Sequence, residues 1–173
     1  MSTLKVNTIQ DTSGNTRPSG ITEADQWRVT SNFNSYDTVI TSNWERNDTD
    51  FALIGSGMTE SSGVFTFPAT GIYRIDFKLG FYKSDHRRYI GAVAELSTNS
   101  GGSYADLTRS YVGLYDVDSN NSQGTSTALT HVDVQDASTY RVRFKAIADS
   151  PVTVYGSNDD IRTTVMFERI ANT

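Results

Sequence analysis

The stretch from Gly63 to Tyr82, GVFTFPATGIYRIDFKLGFY, constrains the fold more than any other part of the chain. It contains two strand patterns, VFTF and IYRIDFKLGFY, which are joined at Pro68-Ala-Thr-Gly71, where proline cannot donate to a strand ladder and glycine tolerates a tight turn. In the second pattern, large apolar residues alternate with mostly polar ones; these are Tyr73, Ile75, Phe77, Leu79 and Phe81. This alternation predicts a long strand of an antiparallel sheet that is covered on one face only.

The rest of the chain has the composition of further strands. It is rich in Val, Thr and Ser, and it has 9 Tyr and 8 Phe but only 3 Pro, which favours strand over helix. Short strand patterns recur between polar loops, including Phe51–Ile54 and the clear alternation of Tyr140–Ala146. Roughly ten strands without a helix predict an all-β, two-sheet antiparallel sandwich, and a jelly roll is the commonest arrangement of so many strands.

The first 25 residues differ in composition from the other 148. Their early apolar residues are Leu4, Val6 and Ile9, and Asp11–Gly20 has the composition of turns and linkers. Such a segment cannot bury enough apolar surface to order itself. We therefore expect an extended N-terminal arm, residues 1–25, that docks on another protein, followed by a head domain, residues 26–173.

Charge and composition exclude several classes of protein. A net charge of -5 and a pI of about 4.9 argue against binding of nucleic acid, which requires excess positive charge. The chain has no Cys, and it has neither a signal-peptide pattern nor an apolar run near the ~20 residues of a membrane span. We expect a protein that is made in a cytoplasm and does not insert into a membrane.

The sequence offers no catalytic motif. His86 and His131 are the only histidines, and neither lies in a Ser-His-Asp pattern. Gly55-Ser-Gly57 lacks the spacing of a nucleophile elbow. We expect that the protein is not an enzyme and has no organic cofactor.

One loop partly matches a calcium-binding pattern. Asp116, Asp118 and Asn120 have the spacing of the first three ligands of a calcium loop, but position six is Asn121 rather than Gly and position twelve is Thr127 rather than Glu. A polar turn is the simpler interpretation, with a calcium site as the alternative.

Two sets of side chains suggest surface contacts. Arg141, Arg143 and Lys145 alternate along one strand and form either a solvated basic stripe or a contact for anionic groups. Four aromatic residues outside the clearest core positions either cap the core or stack on sugar rings; they are Trp44, Tyr104, Tyr115 and Tyr155.

The central stretch also resembles a known signature. Gly63-Val-Phe-Thr-Phe-Pro-Ala-Thr-Gly-Ile-Tyr73 is similar to the Gly-x-Phe, Pro and Gly-x-Tyr pattern of the complement C-one-q and tumour necrosis factor-like superfamily. Residues 127–144 resemble the penultimate strand pair of that family, although Asp136-Ala-Ser-Thr139 replaces its usual Gly-Asp, and Thr163–Ile170 resembles its last strand. The resemblance implies a tumour necrosis factor-like jelly roll that forms a homotrimer. The interface residues that it implies are Arg74, Asp76, Lys78, Met166 and Ile170.

The first fourteen residues carry a second resemblance. Ser2–Gly14, STLKVNTIQDTSG, is similar to the start of tail-fibre and other virion structural proteins of marine and cyanobacterial phages. It implies a virion protein, assembled in the host cytoplasm, whose arm binds other virion proteins. We expect a tail-fibre or receptor-binding head for host attachment, with host-surface glycan as a candidate partner; the alternatives are a capsid decoration protein and, in a different class, a free carbohydrate-binding module.

Overall fold

The computed structural model describes residues 20–116 and 120–173, which form thirteen β-strands and no helix. The strands are β1 (Glu23–Val29), β2 (Phe33–Ser35), β3 (Thr38–Val39), β4 (Trp44–Arg46), β5 (Thr59–Ser61), β6 (Val64–Thr66), β7 (Gly71–Lys83), β8 (Arg87–Ser97), β9 (Ala105–Leu114), β10 (Ser122–Val134), β11 (Arg141–Ala148), β12 (Val152–Val154) and β13 (Thr164–Ala171). No helix in these described ranges could span a membrane.

The strands form two antiparallel sheets. The seven-stranded sheet has the order β2-β12-β7-β13-β1-β4, and β10 pairs with β7 along the whole of that strand. The six-stranded sheet has the order β5-β6-β11-β8-β9, with β3 paired to β11. The predicted all-β sandwich of two antiparallel sheets is therefore confirmed.

The alternation predicted for β7 is present in the structure. The five apolar side chains of this strand are each at most 1% exposed, because they point into the space between the sheets. There Phe77 packs against Phe144 of the opposite sheet at 4.8 Å between ring centroids, and Phe65 lies 5.5 Å from Phe144. The core thus joins the two sheets through aromatic rings contributed by β6, β7, β11 and β13.

Gly63 occupies the turn of the β5–β6 hairpin, where both central residues have positive φ, 52° at Ser62 and 79° at Gly63. This is the conformation that two-residue hairpins favour because it follows the strand twist. A Cβ at Gly63 would lie 2.2 Å from the backbone oxygen of Ile40. Both the backbone angle and the close approach therefore explain why the signature has glycine here.

Strand β1 begins at Glu23, so it includes three residues that the sequence analysis assigned to the arm. The reason is Asp25, which is 1% exposed and accepts hydrogen bonds from Trp27 Nε1 (2.9 Å), Met58 N (2.7 Å) and Arg46 Nε (2.9 Å). The Arg46 guanidinium also lies over the Trp27 ring at 4.7 Å. This group of four residues, the Asp25 network, ties β1 to β4 and to the start of β5.

The prediction of a strand at Phe51–Ile54 is wrong. Only Ile54 pairs, through an isolated bridge to Ala24. Leu53 and Ile54 are 41% and 44% exposed, so the apolar run there does not belong to the core.

The phenol of Tyr73 is 1% exposed and donates to the Ala69 oxygen at 3.0 Å. Burial raises the pKa of Tyr73 to about 12. The positive charge of Arg169 and the hydrogen bond to Ala69 act to lower this pKa, and the negative charge of Glu23 adds a small rise. The phenol therefore keeps its proton in the folded chain at a pH where the unfolded chain has lost it. Stability from this group is complete below about pH 10 and falls as the pH rises toward 12, by about 1.4 kcal/mol per pH unit.

We expect the Tyr73→Phe variant to lose less stability than the wild type over this pH interval, because phenylalanine has no proton to release. Urea unfolding at several pH values, compared between the two proteins, measures the difference. Since the other tyrosines titrate in both proteins, parallel pH profiles would contradict the assignment to Tyr73.

Candidate functional site

The residues that the sequence analysis assigned to a trimer interface lie mostly on one surface. Arg74, Asp76 and Lys78 alternate with the core residues of β7 and so point away from the sandwich. The strand register places Met166 of β13 on one side of Asp76 and Leu129 of β10 on the other. We call this outward surface of β7, β13 and β10 the β7 face.

The β7 face exposes apolar side chains. Leu129 is 50% exposed, and Met166, across Asp76 on the other neighbouring strand, is partly buried. Ile170, which is 44% exposed, lies near the end of β13, where the register shifts. Leu129 is not among the interface residues predicted from the sequence. Its alternation with Ala128 and Thr130 along β10 could have indicated that it points to the outer surface.

The charges of the β7 face have both signs and are loosely held. Arg74 lies 3.5 Å from both Asp76 and Glu168, and its side chain is 44% exposed. Lys78 donates to the Ile161 oxygen at 3.1 Å, and exposed His131 lies opposite Arg74 in register. Because exposed pairs of this kind contribute at most about 1 kcal/mol, these side chains can exchange their partners for those of another subunit.

Part of the predicted site lies outside the described residues. This applies to Leu4, Val6 and Ile9 of the arm and to Asp118 of the calcium pattern. Asp116 and Asn120 are both exposed, and the described ranges contain no cluster of three or more His, Asp or Glu side chains that could hold a metal ion.

The four aromatic residues proposed for glycan contact do not form one surface. Trp44 packs edge-on against Phe65 at 5.3 Å and donates its indole N–H to the Ile40 oxygen, so its ring is partly buried against the core. Tyr104 lies under the Arg143 guanidinium at 3.9 Å. Tyr155 packs on Tyr82 at 4.5 Å, and Tyr115 is 85% exposed.

The basic stripe of β11 is largely neutralised. Arg143 pairs with Glu95 at 2.5 Å and Lys145 with Asp37 at 2.8 Å. Arg141 donates to the backbone oxygens of the preceding turn, including that of Tyr140 at 2.7 Å. These contacts favour the interpretation of β11 as a solvated sheet face over an anion-binding stripe.

The same turn contains the departure from the family signature. Asp136 accepts hydrogen bonds from both the hydroxyl and the backbone N–H of Ser138. These bonds hold the pKa of Asp136 below its ordinary value. Asp136-Ala-Ser-Thr139 therefore forms a side-chain-capped turn where the signature uses Gly-Asp.

The sheet order and the packing of the two sheets define a tumour necrosis factor-like jelly roll, as predicted. The solved structures confirm this. The structure of Eiger TNF from S. frugiperda matches with a TM-score of 0.65 at 10% identity, over 89% of this chain and 95% of that one. Murine APRIL at pH 5.0 matches with a TM-score of 0.61 at 13% identity, over 86% of this chain and 98% of that one. No protein-family model and no curated protein sequence matches the chain, so the likeness is one of fold.

Proposed function

We propose that the chain is a structural protein of a bacteriophage virion, a homotrimeric jelly-roll head that is docked through residues 1–25 and exposed for attachment to the host. The observation that carries the homotrimeric head is the β7 face, where exposed Leu129 and partly buried Met166 flank Asp76 among charges of both signs. Single exposed apolar residues are common on soluble proteins, but a cluster of them is typical of an interaction surface.

The homotrimer is the assembly that the resemblance to tumour necrosis factor-like heads implies. In such an assembly the β7 face of each subunit would contact its neighbours. Leu129, Met166 and Ile170 would supply the apolar contact, and Arg74, Asp76 and Glu168 would re-pair across the interface. The solution mass tests this directly: multi-angle light scattering on the full chain is expected to give about three times 19.1 kDa, and a mass near 19.1 kDa would contradict the trimer.

The virion role rests on the phage-like sequence of the arm. The arm is expected to bind other virion proteins, with a tail fibre as the first placement and capsid decoration as the alternative. Both placements imply assembly in the host cytoplasm and a non-catalytic protein.

The arm can be tested in the full chain. We expect the triple variant Leu4→Ser, Val6→Ser and Ile9→Ser to lose binding to purified virions, because it removes the early apolar residues of the arm while the head stays intact. Immunogold electron microscopy of virions incubated with each protein shows both the loss and the position, tail or capsid. The Tyr115→Ser variant is the matched control, since Tyr115 is an exposed residue of the head. Virion binding that survives the triple substitution would refute docking through the arm.

A further inference from the structure

The six-stranded sheet has a cavity of about 610 Å³ on the surface that faces away from the sandwich core. This volume falls within the roughly 300–1,000 Å³ typical of small-ligand sites. The cavity lies on the other sheet from the β7 face. The cavity is therefore separate from the β7 face.

The floor of the cavity is apolar. Val93 is 1% and Ile147 8% exposed, yet neither belongs to the core cluster between the sheets. The register aligns Ile147, Gly91 and Tyr111 across three strands. A Cβ at Gly91 would lie 3.0 Å from both Ile147 Cγ1 and Tyr111 Cδ1, so glycine lets the floor and the wall approach each other.

The walls are three tyrosines from three separate segments. Tyr36 comes from the loop between β2 and β3 and is 53% exposed, and Tyr111 of β9 is 50% exposed. Tyr89 of β8 packs edge-on against Tyr111 at 5.8 Å, which fixes the orientation of both rings. Exposed tyrosine rings offer an apolar face with a hydroxyl at its end, the combination that stacks on a sugar ring and bonds its hydroxyls.

The charged groups around the cavity cancel each other. Lys145 is paired with Asp37 at 2.8 Å, and Arg109 forms an ion pair with Asp106 and donates to the Tyr111 hydroxyl at 2.9 Å. An anionic ligand would have to compete with a carboxylate for each of these cations. A neutral polyhydroxy ligand can instead donate to the carboxylates and accept from the cations without breaking either pair.

We infer that this cavity binds a neutral saccharide, with one sugar ring against Tyr111 or Tyr36 and its hydroxyls on the Asp37–Lys145 and Asp106–Arg109 pairs. The inference supplies a ligand class for the proposed host-attachment head, and in that sense it rests on the proposed function. The tyrosines of this cavity differ from those chosen from the sequence for glycan contact. Strand pairing and the fold of the β2–β3 loop bring the cavity tyrosines together, and neither can be read from local sequence.

The test is a glycan array probed with the full-length protein, followed by calorimetric titration of the strongest oligosaccharide. The array carries neutral oligosaccharides of glucose, galactose, mannose and N-acetylglucosamine beside sialylated and sulfated ones. We expect binding to the neutral set, and an affinity lowered about tenfold or more by either Tyr36→Ala or Tyr111→Ala. Leu53→Ala truncates a 41% exposed side chain that does not line the cavity and is expected to leave the affinity unchanged.

Thermal melting of each variant separates loss of binding from loss of fold. Because Tyr36 and Tyr111 lie on different segments, the test stays decisive if only one of the two variants folds. Three results would each overturn the inference. They are no binding to any neutral oligosaccharide, a preference for the anionic oligosaccharides that declines with salt, and an affinity that neither tyrosine substitution changes. The mass and virion-binding measurements are independent of these outcomes. A trimer that binds virions but no neutral glycan would refute the cavity assignment and leave the proposed function standing.

Discussion

The Asp25→Ala variant is expected to unfold with a free energy about 3–5 kcal/mol below that of the wild type, because two buried N–H donors lose their acceptor at about 1–3 kcal/mol each and Arg46 loses its ion pair. The carboxylate is 1% exposed and accepts from Arg46, Trp27 and the Met58 backbone. Its removal leaves the Met58 N–H and the Trp27 indole N–H without their acceptor. It also leaves Arg46, whose side chain is 36% exposed, with reduced charge compensation. Urea denaturation followed by tryptophan fluorescence measures the loss, with Trp27 and Trp44 both contributing to the signal.

The control is Asp159→Ala, which removes an exposed carboxylate and should change the stability by no more than about 0.5 kcal/mol. A second variant, Asp25→Asn, keeps the shape and the acceptor oxygen but not the charge, so it should lie between Asp25→Ala and the wild type. If Asp25→Ala were as stable as Asp159→Ala, the Asp25 network would not be the reason that β1 extends to Glu23.

The Leu129→Asp variant is expected to convert the proposed trimer into a monomer at micromolar concentration. Truncation of a central interface residue costs about 2–4 kcal/mol, and an aspartate adds the cost of burying a charge at every copy of the site. Leu129 is 50% exposed in the single chain and does not belong to the core, so the fold of the monomer should persist. Light scattering should then give a mass near 19.1 kDa, with an unchanged far-ultraviolet circular dichroism spectrum.

Tyr115→Asp is the matched substitution, because it places the same charge at an exposed aromatic residue outside the β7 face. It should leave the mass at the wild-type value. A trimer that survives Leu129→Asp would place the subunit contact elsewhere on the molecule.

Local alternation was sufficient to predict the central strands. The alternating apolar side chains from Tyr73 to Phe81 of β7 and from Val142 to Ala146 of β11 point inward as the sequence indicated, because each strand has one apolar face and lies between two neighbouring strands. The charged side chains of β7 were correctly placed on the opposite surface. A period of two is set by the strand itself, so it needs no knowledge of the partner.

Features that depend on distant partners could not be predicted in this way. Asp25 is of a residue type that is common in loops, and its main ionic partner, Arg46, is 21 residues further along the chain. Trp44 is adjacent to a polar loop in sequence, but its ring packs on Phe65. The tyrosines of the cavity come together through the register of β8 with β9 and the fold of the β2–β3 loop. Register between strands far apart in sequence is a property of the whole fold.

The position of β1 has a mechanical consequence. Residues 23–28 pair with β13 on one side, and Trp27 to Val29 pair with β4 on the other. If the arm anchors the head, tension enters the head at Glu23, and the case of interest is a pull directed along β1. The hydrogen bonds of both ladders would then bear the load together in shear, whereas a perpendicular pull would peel them apart one at a time. A head that is anchored through residues 1–25 would gain resistance to forced unfolding because β1 is held on both sides.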